Sequence, residues 1–493
     1  MISFNQIPQN QRVPLFFAEM DNSAANLFSQ NQRNLLIGHK LSAGGALLGV
    51  AAMVNSVAQA WEMYGRGSML AAMVEATLAN DPSAEVWAVP VDEPAGAAAT
   101  ATVTLSGVAQ AAGVICLYVA GQRVQAVAGM NDSAAVVAGA LAAAINAAPG
   151  LPVTAEVSGA AVKLACRWKG VVGNDIPLSL NYRGTLGGEA LPPGVAVELA
   201  AFAGGAGLPS LVGAVLAMGD EEYDFIACGF SDTGALDLLK IEMADNGGRW
   251  SYSRQLYGHV YAALRGTVSM LQVFGKSRND QHATVAGFEA DVQAPAWSYA
   301  AAYAARNGAF LKLDPARPTQ TGELVGILPA RPGRRFVASE RNVLLQYGIA
   351  TSSTGPDGTV RVERAVTTFQ KNAYGQPDVS YLDSETLFTS AYVLRRLRQL
   401  VTSKYGRHKL ARDGTRFGAG QAIVTPNMIR AELVAEYIKM EALGVVENTD
   451  AFAEALIVEI NALNPNRLDV LFPPDYVNQL RVFAVLNQFR LQY

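Results

Sequence analysis

The chain has 493 residues, half of them hydrophobic and 16% charged, which suffices for two to four domains or one core carrying an insertion, with no long stretch disordered by composition. Its 38 basic and 42 acidic residues leave a net charge of −4, which argues against wholesale binding to nucleic acid or to an anionic membrane. Three widely spaced cysteines, Cys116, Cys166 and Cys228, form no CxxC pair, so neither a disulfide framework nor a zinc site is expected and a reducing cytoplasm fits.

The first residues show no basic segment followed by an apolar core, so no export signal is expected. The longest apolar runs, 43–54 and 134–145, are too short to span a bilayer. Residues 1–22 read as an extended arm: Ile2, Phe4 and Ile7 are spaced through polar residues, and Val13, Leu15 and Phe17 alternate. Pro14 confines that second piece to a sheet edge or a bulge.

From 34 to 91 the pattern is α/β, with short buried strands at 35–37 and 86–91 and helices at 54–64 and 68–79. Residues 92–204 shift to Ala, Gly, Val and Thr, and short strands surround one helix that Asp132 is placed to cap. This reads as a small α+β module inserted into the surrounding fold. The α/β texture resumes at 205, with a hairpin-type turn at 355–358 and a long helix at 381–405. Thr425-Pro426 is a strong helix start, with Thr as N-cap and Pro in the first turn, and Gly444 is the stop. Around that helix Glu432, Glu436 and Lys439 are expected to form a narrow exposed charged stripe. A further helix is expected over 450–463. The terminal segment 475–493 contains no Gly or Pro; 480–486 is apolar on both faces and 488–493 on one, so it reads as a strand, first within its own subunit's sheet and then for a neighbour. The resulting division is 1–22, 23–91, 92–204, 205–475 and 476–493.

Catalytic patterns are missing. The four histidines are isolated, no GxSxG elbow or Walker A loop is present, and 44–49 lacks GxGxxG spacing. Gly65-Arg66-Gly67-Ser68 reads as a turn between packed helices, and the acidic run 220–224 as a solvated loop. Arg395, Arg396, Arg398, Lys404, Arg407, His408, Lys409 and Arg412 form a basic stretch, read first as a solvated helix face, second as a patch for an acidic protein surface and last, for want of interleaved aromatics, as a nucleic-acid surface. From the residues alone, the chain is a non-enzymatic α/β assembly protein; the alternative of another class is a cytoplasmic α/β enzyme with an unrecognised site.

Several stretches, in order, resemble the tail sheath proteins of contractile phages, most closely their Mu-type branch. They are ISFNQIP from Ile2, RVPLFFAEMDNS from Arg12, YGRGSMLA from Tyr64, AINA from Ala144 with LPVTA from Leu151, KYGRHKL from Lys404, IVTP from Ile423, GVVEN from Gly444 and NRLDV from Asn466. The resemblance implies a subunit that polymerises with itself around a tail tube, starts from a baseplate, ends at a terminator protein and contracts to drive the tube through the host envelope. It implies a discontinuous α/β core, an outward-facing inserted domain at 92–204, and terminal β arms that add strands to neighbouring subunits. The arms map to Ile2, Phe4, Val13, Leu15 and Phe17 at the front and to Phe483, Val485, Phe489 and Leu491 at the back. Tube contact maps, by position, to Glu432, Glu436 and Lys439. No cofactor, nucleic acid or membrane insertion is implied. The location implied is the virion tail, assembled in the bacterial cytoplasm; the sheath of a phage-tail-like bacteriocin or another contractile injection machine is the near alternative.

Overall fold

The computed structural model describes residues 32–418 and 420–491. The front-arm residues Ile2, Phe4, Val13, Leu15 and Phe17 lie outside that range.

Runs of bulky apolar residues with no polar alternation, such as Leu35-Leu36-Ile37 and Phe225-Ile226-Ala227-Cys228, suit strands buried on both faces. They form the centre of an eight-stranded sheet. Its order is Val360–Arg364, Ile349–Thr354, Ala283–Glu289, His259–Gly266, Phe225–Cys228, Arg33–His39, Glu85–Val91, Ala52–Val54. The six central strands are parallel, and the outer strand at each edge is antiparallel. Helices Met69–Asn80 and Ala296–Leu311 pack on each other and on this sheet. The second approaches closely because it is small on that side: a Cβ at Gly308 would lie 3.1 Å from the Phe225 ring. Ser68 caps the first, its hydroxyl accepting from Ala71 N–H at 3.1 Å. The turn before it matches the bland expectation, with Gly65 and Gly67 at φ 85° and 84°. A Cβ on Gly67 would meet the carbonyl oxygens of Leu151 and Pro149 at 2.5 and 2.7 Å, so only glycine fits.

Between the strands Glu85–Val91 and Phe225–Cys228 the chain builds two separate antiparallel sheets. One holds Val195–Ala203, Ala98–Gly107, Ala161–Lys169 and Val153–Ser158; the other holds Gln122–Ala128, Gly113–Val119 and Leu178–Leu180. Helix Ala134–Asn146 packs beside them, entered through Ser133 and not Asp132, whose carboxylate instead accepts from Gly129 N–H at 2.6 Å. Arg265 pins this module to the core. Its Nε donates to Asp175 at 2.7 Å while its two terminal nitrogens reach the carbonyls of Ala290, Val292 and Ala294. Asp175 in turn accepts from Ala296 N–H at 2.6 Å, at the start of the Ala296–Leu311 helix. Trp168 meets Trp297 edge to face beside this joint, with ring centroids 5.5 Å apart.

The C-terminal region has its own small core, with Leu433, Tyr437, Met440, Phe452 and Leu456 at its centre. Its helices are Ser384–Tyr405, Pro426–Ala442 and Thr449–Ala455, followed by a two-stranded antiparallel hairpin, Ile457–Ile460 with Leu468–Leu471. The helix expected over 450–463 therefore ends early. Its second half is a strand, because Ile457, Val458 and Ile460 pair across to Leu471, Val470 and Leu468. That register lies outside a local window.

Buried charge ties this region to the main sheet. Arg395 donates to Asp224 at 2.7 Å and to the Tyr257 carbonyl at 3.2 Å, and Glu222 lies 3.3 Å away. Phe388 stacks on Phe225 at 5.0 Å. The acidic run and part of the basic stretch, both read as solvated, thus neutralise each other. His259 lies in the same joint, wholly buried, 2.8 Å from the Thr284 hydroxyl and 5.8 Å from the Phe388 ring. Burial, with His282 nearby, holds its pKa well below the usual histidine value. Below about pH 6.5 the unfolded chain takes up a proton here that the folded one refuses, so stability falls as pH drops, by up to about 1.4 kcal/mol per pH unit for one such group. Urea denaturation at pH 7.5 and 5.5 should show this loss, and His259→Phe should reduce it; an unchanged slope in the variant would remove His259 as its source.

Candidate subunit interface

The back arm is the first candidate surface. Up to Arg481 the tail is fastened: Glu447 N–H donates to the Asp475 carbonyl at 2.9 Å, Val446 bridges to Tyr476, and Gln479 donates to the Ala316 carbonyl at 2.9 Å. Beyond it the side chains of Val482, Phe483, Val485, Leu486, Phe489 and Leu491 stand in solvent, Phe483 and Leu486 being 80% and 84% exposed. No strand forms over residues 477–491. The expectation that 480–486 belongs to its own subunit's sheet is therefore wrong. Its apolar content is genuine, but the edge strands of the main sheet are Val360–Arg364 and Ala52–Val54, and neither pairs with the tail. An apolar run of this length left in water marks a binding segment.

The second candidate is the hairpin. Among the described residues neither Ile457–Ile460 nor Leu468–Leu471 has a further strand beside it. Ile457, Val470 and Leu471 are exposed. Two strands alone are marginal in water, and each carries a row of unused backbone donors and acceptors along its outer edge.

The third is the Pro426–Ala442 helix. Thr425 caps it as the sequence predicts, accepting from Met428 N–H, with Pro426 at its start. The charged stripe does not survive. Glu436 is buried at 5% exposure, 2.5 Å from Arg396 Nη2, and Glu432 pairs with Lys404 and the Tyr405 hydroxyl. The Lys404 ammonium, the larger cause, holds the Glu432 carboxyl below its usual range. Lys439 remains exposed, 3.3 Å from Glu436. The helical wheel failed because the partners of both carboxylates come from the Ser384–Tyr405 helix, 27 to 40 residues away in sequence, which no local window contains. What the helix displays instead is Met428, Ala431, Ala435, Ile438 and Ala442, a stripe at alternating spacings of three and four. In the Ser384–Tyr405 helix and the segment after it, Arg398, Arg407, Lys409 and Arg412 stay exposed.

Sequence reasoning picked out the apolar tail and missed both the hairpin and the apolar helix face. The LDV run at Leu468 was a strand signal for the hairpin; the helix face had none, because it shows only once its charges are seen to be paired.

Comparison with known proteins places the chain in a family. Residues 204–368 match the model of the phage tail sheath protein central domain, and residues 376–490 that of the phage tail sheath C-terminal domain. Over 99% of its length the chain is 40% identical to the Mu-like prophage FluMu tail sheath protein of Haemophilus influenzae, all of which is covered. The crystal structure of a sheath tail protein from Desulfitobacterium hafniense shares the fold with a TM-score of 0.50 at 11% identity, over 95% of this chain and 97% of that one. The chain belongs to the phage tail sheath family, as a structural subunit of a contractile tail sheath of the Mu type.

Proposed function

We propose that this subunit polymerises by strand exchange: residues 482–491 of one copy add to the open edge of the Ile457–Ile460 and Leu468–Leu471 hairpin of another. The observation that carries this is one chain displaying both a segment of exposed apolar side chains and, among the described residues, a two-stranded sheet with no further strand beside it. Backbone hydrogen bonds supply the connection, and the alternation Phe489, Leu491 against Gln488, Arg490 supplies the register. The front arm, with Ile2, Phe4, Val13, Leu15 and Phe17, serves the same lattice from the other end of the chain.

The polymer surrounds a tail tube, starts from a baseplate, is closed by a terminator protein and contracts to push the tube through the host envelope. It is part of the virion tail and assembles in the bacterial cytoplasm. Residues 92–204 form the outward-facing domain. The tube-facing surface is redrawn from the charged set Glu432, Glu436 and Lys439 to the stripe Met428, Ala431, Ala435 and Ile438 with Lys439 at its border. The exposed arginines and lysine at 398, 407, 409 and 412 suit an acidic partner surface. Energy for contraction comes from rearranged subunit contacts, so the reading requires no cofactor, no nucleic acid, no membrane insertion and no catalysis.

Purified full-length protein imaged by negative-stain microscopy should show striated tubes or stacked rings. Uniform monomers at every concentration and salt condition would overturn the reading.

A further inference from the structure

Resting on the strand-exchange reading above, we infer that Arg481 is the fixed root of the back arm, clamping it to the main sheet before it crosses to a second copy of this chain. The Arg481 side chain is largely buried. Its Nη2 lies 2.9 Å from Glu385 Oε1 and 3.4 Å from Asp383 Oδ1. Both carboxylates are already fixed. Glu385 is fully buried in the first turn of the Ser384–Tyr405 helix, where the helix dipole favours an anion, and the same Oε1 accepts from Thr319 N–H and hydroxyl at 3.1 and 3.0 Å. Asp383 receives a two-pronged bond from Arg364, Nε at 2.7 Å and Nη2 at 2.8 Å. Arg364 ends the antiparallel edge strand of the eight-stranded sheet. On either side of the guanidinium, Gln479 holds the Ala316 carbonyl and Gln320 reaches the Leu480 carbonyl at 3.4 Å.

The placement has a mechanical consequence. One residue further on, Val482 and Phe483 already stand in solvent. The arm thus leaves beside the edge of the large sheet, and pull from a neighbour passes into the start of the Ser384–Tyr405 helix and, through Asp383 and Arg364, into that sheet. Fixing the root also restricts where the strand can search, which raises its effective concentration at the acceptor. A buried Arg–carboxylate contact suits this role because a charge-assisted hydrogen bond is directional, and because the buried Glu385 charge is poorly served once the guanidinium leaves.

The test compares full-length wild type, Arg481→Ala, Arg481→Lys and the chain ending at Arg481, each with a folded core verified by thermal melting. In the unassembled protein, Arg481→Ala should speed chymotryptic cleavage at Tyr476 and Leu480 at least tenfold, with Arg481→Lys intermediate. In assembly, Arg481→Ala should raise the concentration needed for polymer at least tenfold. Wild-type cleavage and wild-type assembly in Arg481→Ala, with no assembly of the shortened chain, would overturn the root while leaving strand exchange standing. Should the shortened chain polymerise normally, strand exchange through 482–491 is wrong, and the cleavage rates decide the anchor alone. If Arg481→Ala does not fold, Arg481→Lys carries the same comparison, and wild-type cleavage in it overturns the inference.

Discussion

A chain ending at Arg481 is expected to fold as the full-length protein does and to fail to polymerise. The cut falls there because Asp475, Tyr476, Gln479 and Arg481 are bonded to the rest of the subunit, whereas the next apolar side chains are exposed. Removing exposed side chains takes nothing from the folded monomer's core, so the melting temperature should hold. The polymer loses far more. Covering three of the six exposed apolar side chains, at about 1.5–3 kcal/mol each, is worth roughly 4–9 kcal/mol per contact, or on the order of a thousandfold to a millionfold in association. Sedimentation and microscopy should therefore find monomers where full-length protein forms tubes. Ordered tubes from the shortened chain would refute strand exchange at this end. A cut at 476 is a worse experiment, since Tyr476 packs against the C-terminal core and its loss confounds folding with assembly.

Replacing Arg395 by methionine should cost about 3–5 kcal/mol, the largest stability loss expected of a single side chain here. Asp224 is buried, and burial outweighs the nearby guanidinium to hold its carboxyl above the usual range. Without Arg395 the Asp224 carboxylate keeps the Arg33 backbone N–H, at 3.2 Å, and the more distant charge of Lys312, in a site closed by Phe388 and Tyr257. The pairing also joins the C-terminal region to the main sheet, so Arg395→Met should lower the cooperativity of unfolding as well as its midpoint. Adding Asp224→Asn should recover part of the loss, because a neutral amide is cheaper to bury than an unpaired charge. Equal stability of Arg395→Met and wild type in urea would mean that the joint relies on Phe388 and Phe225 alone.

Local patterns were legible wherever one segment contains its own determinants. Ser68 and Thr425 announce the helices they cap, and residues 355–358 announce the hairpin they close, Gly355 N–H bonding to the Thr359 carbonyl at 2.9 Å. The double-sided apolar runs at 35–37 and 225–228 announce buried parallel strands. The tail was legible as apolar, but not as exposed from Val482 onward. A period-two pattern tells which faces want cover and is silent on who covers them.

Charge pairing was the least legible feature, and it redrew two surfaces. Glu436 and Arg396 are 40 residues apart, and Asp224 and Arg395 are 171 apart. Each looked solvated because its neutralising partner sits on a different element. What the sequence by itself determined is therefore the α/β character, the caps at Ser68 and Thr425, the turn at 355–358, the absence of familiar catalytic spacing, and an apolar alternation in the terminal segments. Only the tertiary structure decided that the apolar side chains from Val482 to Leu491 stay exposed, that among the described residues the 457–471 hairpin has no further strand beside it, and that the Pro426–Ala442 helix shows an apolar face and not a charged one. The physical reason is one of range. Caps, turns and periodicity are settled within a few residues, whereas burial, ion pairing and open edges depend on contacts between segments far apart along the chain.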